Sequence, residues 1–408
     1  MQTELPKTFL ATSRGTRADE ILRSCVHCGF CNATCPTYQL LGDELDGPRG
    51  RIYLMKDMLE TQQADAVTRT HLDRCLTCRA CETTCPSGVR YGELLEIGRD
   101  FLEAELPRPA PQRLLRRWLL DVVPWPRRFA RWLRAGRLAR VFLPKRLASA
   151  IPRSGARKQP HNKRTHASPS PVPAAGKVLL LNGCVQRVST PQVNAALEAL
   201  LADRGVEVVQ VPGERCCGSL ALHLGASAEA RVTMAANVDA LSHRLDEADA
   251  VISTASGCGV TVKDYGRLLG DDPARRDAAR RLAERTVDAA EFLRGLETPW
   301  QRREPYRRVA WHAPCTLQHG QRVTGTVEAL LGGAGYELTE VPDAHLCCGS
   351  AGTYSILEPA LAEQLKSNKL DALHQGRPDV IATANVGCQL HLAQGARVPV
   401  KHWIELLA

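Results

Sequence analysis

Cys25, Cys28, Cys31 and Cys35, with Pro36 behind them, are spaced C-x2-C-x2-C-x3-C-P. Cys75, Cys78, Cys81 and Cys85, followed by Pro86, repeat the spacing 50 residues later, and Thr34-Cys35-Pro36 answers Thr84-Cys85-Pro86. The stretch is therefore an internal duplication. Thiolates are soft ligands suited to iron and sulfide, and three on one tight turn can hold three corners of a cubane cluster.

The fourth corner needs a distant residue. In two-cluster ferredoxins the last cysteine of each run ligates the other cluster. The spacing thus predicts one [4Fe–4S] cluster on Cys25, Cys28, Cys31 and Cys85, and a second on Cys75, Cys78, Cys81 and Cys35. Zinc also accepts four thiolates, but zinc sites normally come as two pairs, not as a three-plus-one run ending in proline. Between the runs Ile52, Met55, Met58 and Leu59 recur at helical spacing after Pro48, and Leu94, Ile97, Phe101 and Leu102 do so after the second run. An α-helical ferredoxin-type domain is expected, with the two methionines as core filler.

A second duplication follows. Cys184, Cys216-Cys217-Gly218 and Cys258 are answered by Cys315, Cys347-Cys348-Gly349 and Cys388, at an offset of 131 residues, or 130 for the last cysteine. Short β runs precede each group: Val178–Leu181, Val206–Val211 and Val251–Thr254, then Val309–Trp311, Tyr336–Val341 and Val380–Ala384, with helical text between them. Alternating strand and helix argues for parallel α/β units, in which ligands bind at the carboxyl ends of strands. Two further candidate sites are therefore Cys184, Cys216, Cys217 and Cys258, and Cys315, Cys347, Cys348 and Cys388.

Sixteen cysteines in 408 residues suit metal or redox chemistry in a reducing compartment better than disulfides. No run approaches the roughly 18 apolar residues of a membrane span, and Met1 to Ser24 lacks an apolar signal core, so a cytoplasmic location is expected. From Leu106 to Ala175 there are 17 Lys and Arg against the single acid Asp121, together with eleven prolines. This composition marks a connector, with Ser149 to Ala175 as a tether, rather than a nucleic-acid-binding domain, which would set its basic excess beside base-reading motifs. Within it Trp118, Trp125 and Trp132 recur every seven residues among arginines from Leu114 to Leu143, broken by Pro124 and Pro126. The pattern suits two short interfacial helices on the inner face of a membrane, or a stripe packed across the ferredoxin domain. The expected divisions are 1–105 (ferredoxin domain), 106–175 (connector), 176–300 and 301–408 (two Cys-Cys-Gly domains).

The chain resembles the iron–sulfur subunits of bacterial glycolate oxidase. The likeness lies in Cys25-Val-His-Cys-Gly-Phe-Cys31, Cys35-Pro-Thr-Tyr-Gln-Leu40, Gly42-Asp-Glu-Leu-Asp-Gly-Pro-Arg-Gly-Arg51 and His71-Leu-Asp-Arg-Cys-Leu-Thr-Cys78, and continues in His312-Ala-Pro-Cys-Thr-Leu-Gln-His319 and His345-Leu-Cys-Cys-Gly-Ser-Ala-Gly-Thr-Tyr354. The Cys-Cys-Gly arrangement alone is shared with relay subunits of glycerol-3-phosphate dehydrogenase, lactate-utilisation and heterodisulfide reductase complexes. Reductases of that last kind carry a fifth thiol in a final C-x2-C; here Thr261 and His391 stand in that place. Four-thiolate iron–sulfur, zinc and an empty thiol site all stay open for the two repeats, with His391 a candidate extra ligand in the second.

The resemblance implies an electron relay fed by FAD on partner subunits that oxidise glycolate to glyoxylate, with a membrane quinone or other acceptor downstream. No flavin or nicotinamide fingerprint such as G-x-G-x-x-G follows a predicted strand, and clusters take one electron at a time. No residue of this chain is assigned as a catalytic base. The alternatives are a nucleic-acid module built on the arginines and a thiol–disulfide enzyme at the Cys-Cys-Gly sites.

Overall fold

The computed structural model describes residues 1–140, 176–296 and 299–408. The tether Ser149–Ala175 and the end of the tryptophan-bearing stretch lie outside the described residues.

The N-terminal part is helical. Helix Ser13–Ser24 begins where the Thr12 side chain accepts a hydrogen bond from the Gly15 amide, and Pro48 opens helix Pro48–Thr61 from a position where its missing N–H costs nothing. Helices Ala66–Asp73 and Tyr91–Glu105 complete the packing. Ile52, Met55, Met58 and Leu59 form one buried face against Leu72, Leu94, Leu95 and Leu102, so both methionines are core residues. Each cysteine run starts in irregular backbone and passes through one short helical turn, Phe30–Asn32 in the first and Ala80–Thr84 in the second. There the conformations repeat as the sequence does: His27 and Gly29 have φ of 58° and 86°, and Thr77 and Arg79, their counterparts, have 54° and 59°. Left-handed residues interleaved in a turn curl the backbone amides inward, the kind of concavity that holds an anionic group. Three of the four are not glycine, so strain is stored there.

Each later repeat is a four-stranded parallel sheet. Strands β1 (Gly176–Leu181), β2 (Val206–Val209), β3 (Ala250–Ser253) and β4 (Thr286–Asp288) lie in the order β2-β1-β3-β4. The second repeat has β5 (Arg308–His312), β6 (Glu337–Thr339), β7 (Val380–Thr383) and β8 (Val400–His402) in the order β6-β5-β7-β8. The inner strands β3 and β7 are buried throughout, as expected of a parallel sheet covered on both faces. One apolar core joins the repeats, combining Val178, Leu180 and Leu197 of the first with Trp311, Val327 and Trp403 of the second. Polar contacts tie the ends of β3 and β7 together: Ser256 N donates to Ala384 O (3.1 Å), and the His402 ring sits 2.8 Å from Thr254 O. The carboxyl ends of the two sheets are thereby held next to each other.

The connector forms helices Ala110–Val122 and Pro126–Ala139, broken at the expected prolines. Leu119, Val122 and Leu133 are buried and Arg116 pairs with Asp73, whereas Trp118, Trp125, Trp132 and Leu138 are exposed. Among the described residues no helix is long and apolar enough to cross a membrane.

Candidate metal centres

The ferredoxin cysteines fall into two groups of four. Cys25, Cys28 and Cys31 have Cys85 as their neighbour from the other run, while Cys75, Cys78 and Cys81 have Cys35. Burial pushes the Cys25, Cys35 and Cys81 thiols above their ordinary range and Cys31 up to about 11. These four sulfurs, when bare, therefore keep their protons, and loading a cluster must release them. Donors already face the second group: Tyr91 Oη lies 3.6 Å from Cys75 Sγ and Arg51 Nη1 3.8 Å from Cys35 Sγ. Eight thiols in two sets of four, on turns with inward amides and N–H or O–H donors beside them, fit two [4Fe–4S] clusters.

Arg51 was legible only as a letter in a family-like string. It is 1% exposed, donates to His71 O (2.7 Å) and Thr37 Oγ1 (3.0 Å), and pairs with Asp46, itself 0% exposed. Asp46 also takes Arg74 at 2.8 Å and His71 at 3.0 Å. The string from Gly42 to Arg51 thus encodes a buried charge network under Cys35.

Both Cys-Cys-Gly repeats bring their four thiols together. In the first, Cys184 donates to Cys216 at 3.4 Å, and Cys217 touches Cys216 and Cys258. Hydrogen bonds from Cys184 and Cys217 hold Cys216 well below the usual thiol range. In the second, contacts run from Cys315 through Cys347 and Cys348 to Cys388. The glycine after each pair has a structural reason. Gly218 and Gly349 have φ of 89° and 84°, and a Cβ would meet Met234 Cε at 2.7 Å or Ala362 O at 2.7 Å.

His391 is buried, with Nε2 3.4 Å from Ala362 O and the Cys348 carbonyl nearby. The imidazole that stands with the thiols of Cys348 and Cys388 is that of His312, at the end of β5. Burial drives its pKa down to about 3, which leaves it neutral. The sequence offered a signal in His312 closing a strand three residues before Cys315, where the first repeat has Leu181 before Cys184.

The three domains meet around the thiols. Cys315 contacts Cys78 of the ferredoxin part, Thr77 shares a hydrogen bond with His223 (3.0 Å), and Thr83 shares one with His319 (2.9 Å). Arg267 pairs with Glu96 at 2.9 Å. Between them lies a cavity of about 1640 Å³ whose lining includes Cys78, Cys217, Cys258, Cys315 and Cys348.

A helical domain with two four-thiol sets, joined to a duplicated α/β unit with thiols at its strand ends, defines an iron–sulfur electron-transfer protein. Residues 21–89 match the family described as "4Fe-4S dicluster domain", and residues 178–263 and 309–393 match "Cysteine-rich domain". The glycolate oxidase iron-sulfur subunit of Escherichia coli K12 is 47% identical over 100% of this chain and 98% of its own length. The probable glycolate oxidase iron-sulfur subunit of Bacillus subtilis is 31% identical over 97% and 94%. The chain belongs to the family of glycolate oxidase iron–sulfur subunits. Lactate utilization protein A of Bacillus subtilis is more distant, 26% identical over 57% of this chain. Among solved structures, a hypothetical protein from Helicobacter pylori aligns with a TM-score of 0.52 at 9% identity, covering 97% of this chain and 72% of that one, a likeness of fold alone.

Proposed function

We propose that this chain is the electron-relay subunit of a glycolate-oxidising complex. FAD on partner subunits oxidises glycolate to glyoxylate, and the electrons pass singly through this chain toward a quinone or another acceptor. The observation that carries the reading is the depth ordering of the two ferredoxin sets. Cys28 is exposed, flanked by Val26 and Phe30 at 67% and 61% exposure, an apolar rim suited to a partner protein. The second set lies deeper, with Cys75 and Cys81 buried and Cys78 facing the junction cavity. When bound, a [4Fe–4S] cluster supplies one-electron chemistry. The chain's own residues hold Cys25, Cys28, Cys31 and Cys85 as one ligand set and Cys75, Cys78, Cys81 and Cys35 as the other, keep water from the inner one, and place Arg51 beside Cys35.

The same proposal puts the exposed indoles and arginines of helices Ala110–Val122 and Pro126–Ala139 on the inner face of the cell membrane, where a quinone would be met. The test is reconstitution. The purified chain should not oxidise glycolate with an artificial dye, and adding the flavoprotein partners should make its visible cluster absorbance bleach on glycolate addition but not on lactate addition. Glycolate oxidation by this chain alone, free of flavoprotein, would sink the reading.

A further inference from the structure

Thiols occupy only part of the lining of the junction cavity. The connector helices add Leu119, Phe129 and Leu133, and the two repeats add Leu220, Ile356 and Leu390. The charged groups there are largely spent on one another or on backbone: Arg79 on Asp264, Arg99 on the carbonyls of Leu72 and Cys75, and Lys366 on Glu363. Trp118 and Trp132 also line the cavity, packed edge to face with ring centroids 5.5 Å apart, and both are exposed. The cavity therefore reaches the surface at the two connector helices, beside their arginines.

One side chain in this lining keeps a polar atom for a ligand. His223 Nδ1 pairs with Thr77 Oγ1 at 3.0 Å, and Arg99 Nη1 donates to the same hydroxyl at 3.4 Å. With Arg99 on the oxygen, the hydroxyl hydrogen goes to Nδ1, which assigns the imidazole proton to Nε2. Burial and the nearby charges of Arg99 and Arg79 push the ring's pKa down to about 4, which leaves it neutral. His223 lines the cavity, and its Nε2 has no hydrogen-bond partner among the described residues. Thr77, which holds the ring, stands in the turn between Cys75 and Cys78 of the inner set. The duplication makes the donor specific to one repeat: 131 residues on, the second repeat carries Tyr354, which packs with Leu76 and Cys347 outside this lining.

A neutral N–H donor in an apolar cavity, beside a one-electron centre and with indoles at the mouth, selects a lipophilic electron acceptor that presents a carbonyl oxygen. Resting on the relay reading above, we propose that the junction cavity is a quinone-binding site, in which His223 Nε2–H donates to one quinone carbonyl and the apolar tail leaves past Trp118 and Trp132. The quinone takes two electrons, delivered singly through the clusters, and two protons from water to become the quinol. These balance the two electrons and two protons given up when glycolate becomes glyoxylate.

The test uses the full chain, purified anaerobically with its clusters, and decylubiquinone as the probe. Equilibrium dialysis reads binding, and visible absorbance reads reoxidation of chemically reduced clusters by the same quinone. Ile356→Glu places a charge on an exposed part of the lining, where folding is not at stake, and should weaken binding by about tenfold or more. His223→Phe keeps a ring without the donor and should weaken it by about tenfold, and His223→Gln, which keeps an N–H, should recover part of the loss. Iron content should stay at the wild-type level in all three. The site is refuted by a wild type that binds no decylubiquinone, by Ile356→Glu or His223→Phe binding as the wild type does, or by decanol displacing the quinone at equal concentration, which would make the cavity a groove for alkyl chains only. Clusters that bleach with glycolate and flavoprotein in a chain that binds no quinone would refute this site and keep the relay. Quinone binding in a chain whose clusters never bleach that way would refute the relay, and with it the quinone's role as acceptor.

Discussion

Replacing Arg51 with methionine removes a buried charge at nearly constant bulk. The guanidinium donates to His71 O, Thr37 Oγ1 and Asp46, and lies 3.8 Å from Cys35 Sγ. Burial works against its charge, yet Cys75, Tyr91, Cys35 and Asp46 hold its pKa well above the ordinary value. Breaking a buried pair costs roughly 3–5 kcal/mol, and because Arg74 and His71 stay on Asp46 the lower end, about 3 kcal/mol, is expected. A unit charge about 5 Å from an added electron, at an effective dielectric of about 20, is worth roughly 3 kcal/mol. With half of that lost to charge spread over the cluster, and 59 mV corresponding to about 1.4 kcal/mol for one electron, the midpoint of the inner cluster should fall by roughly 60 mV. Anaerobic redox titration followed by electron paramagnetic resonance reads the potential, and thermal unfolding reads the stability. Arg51→Lys separates the two effects: it keeps the charge and most of the potential but cannot reach all the acceptors, so it stays destabilised. If Arg51→Met kept both clusters, moved neither midpoint by more than about 20 mV and left the melting temperature unchanged, the charge network would have no bearing on the cluster.

Cys85→Ser should lose iron from the set that includes Cys25, Cys28 and Cys31 and loosen the whole ferredoxin domain; two full clusters retained would show that the crossed ligation is wrong. Replacing the exposed Arg127, Arg128, Arg131 and Arg134 with Gln should weaken sedimentation with anionic vesicles by up to about 4 kcal/mol while cluster content stays the same, and a wild type that fails to bind such vesicles at low salt would remove the membrane proposal. Asp288 is 1% exposed at the start of helix Ala289–Arg294, and burial raises its carboxyl from 3.8 to about 7 despite the Ala290 amide and Lys263. Its folded pKa exceeds its unfolded one, so stability is highest below pH 3.8 and falls as pH rises through about 7, by about 1 kcal/mol between pH 6 and 8. Asp288→Asn, which can still cap the helix, should abolish that slope in thermal melts; an equal slope in the variant would place the titration elsewhere.

Much of this fold was open to reading because its signals are local. A C-x2-C-x2-C-x3-C-P run is one turn, and alternating β and helical text covers six strands, all observed. The two strands that escaped, β4 and β8, are three residues each, Thr286-Val-Asp and Val400-Lys-His, too short to show a period; they form only because β3 and β7 offer a partner edge. Arg51 escaped for the opposite reason. A lone arginine on a helix reads as solvated until Asp46, His71 and Cys35 are brought around it by segments up to 20 residues away in the chain. Side-chain direction escaped as well: His391 was noticed by counting from Cys388, but on its helix the ring turns to the Ala362 carbonyl, and His312 reaches the thiols from a different element.

The two Cys-Cys-Gly repeats share a backbone plan but not an environment, and the difference follows from what they pack against. Sheet order, the left-handed glycine and the convergence of four thiols are common to both. The second site also shares an apolar cluster with Leu76 and Cys78 of the ferredoxin part, through Cys315, Cys347 and Tyr354. A duplicated site that comes to adjoin a charged cofactor is no longer free to keep its apolar neighbours, because an anionic centre nearby favours buried cations and polar donors over leucine. His312 in place of Leu181, and Lys369 in place of the neutral Asn237, are changes in that direction. The first repeat carries Leu181 and the neutral Asn237 at these places, and it meets the ferredoxin domain through Thr77 with His223 and through the ion pairs Arg267 with Glu96 and Arg79 with Asp264. The asymmetry between the repeats thus records which of them was placed beside the inner cluster.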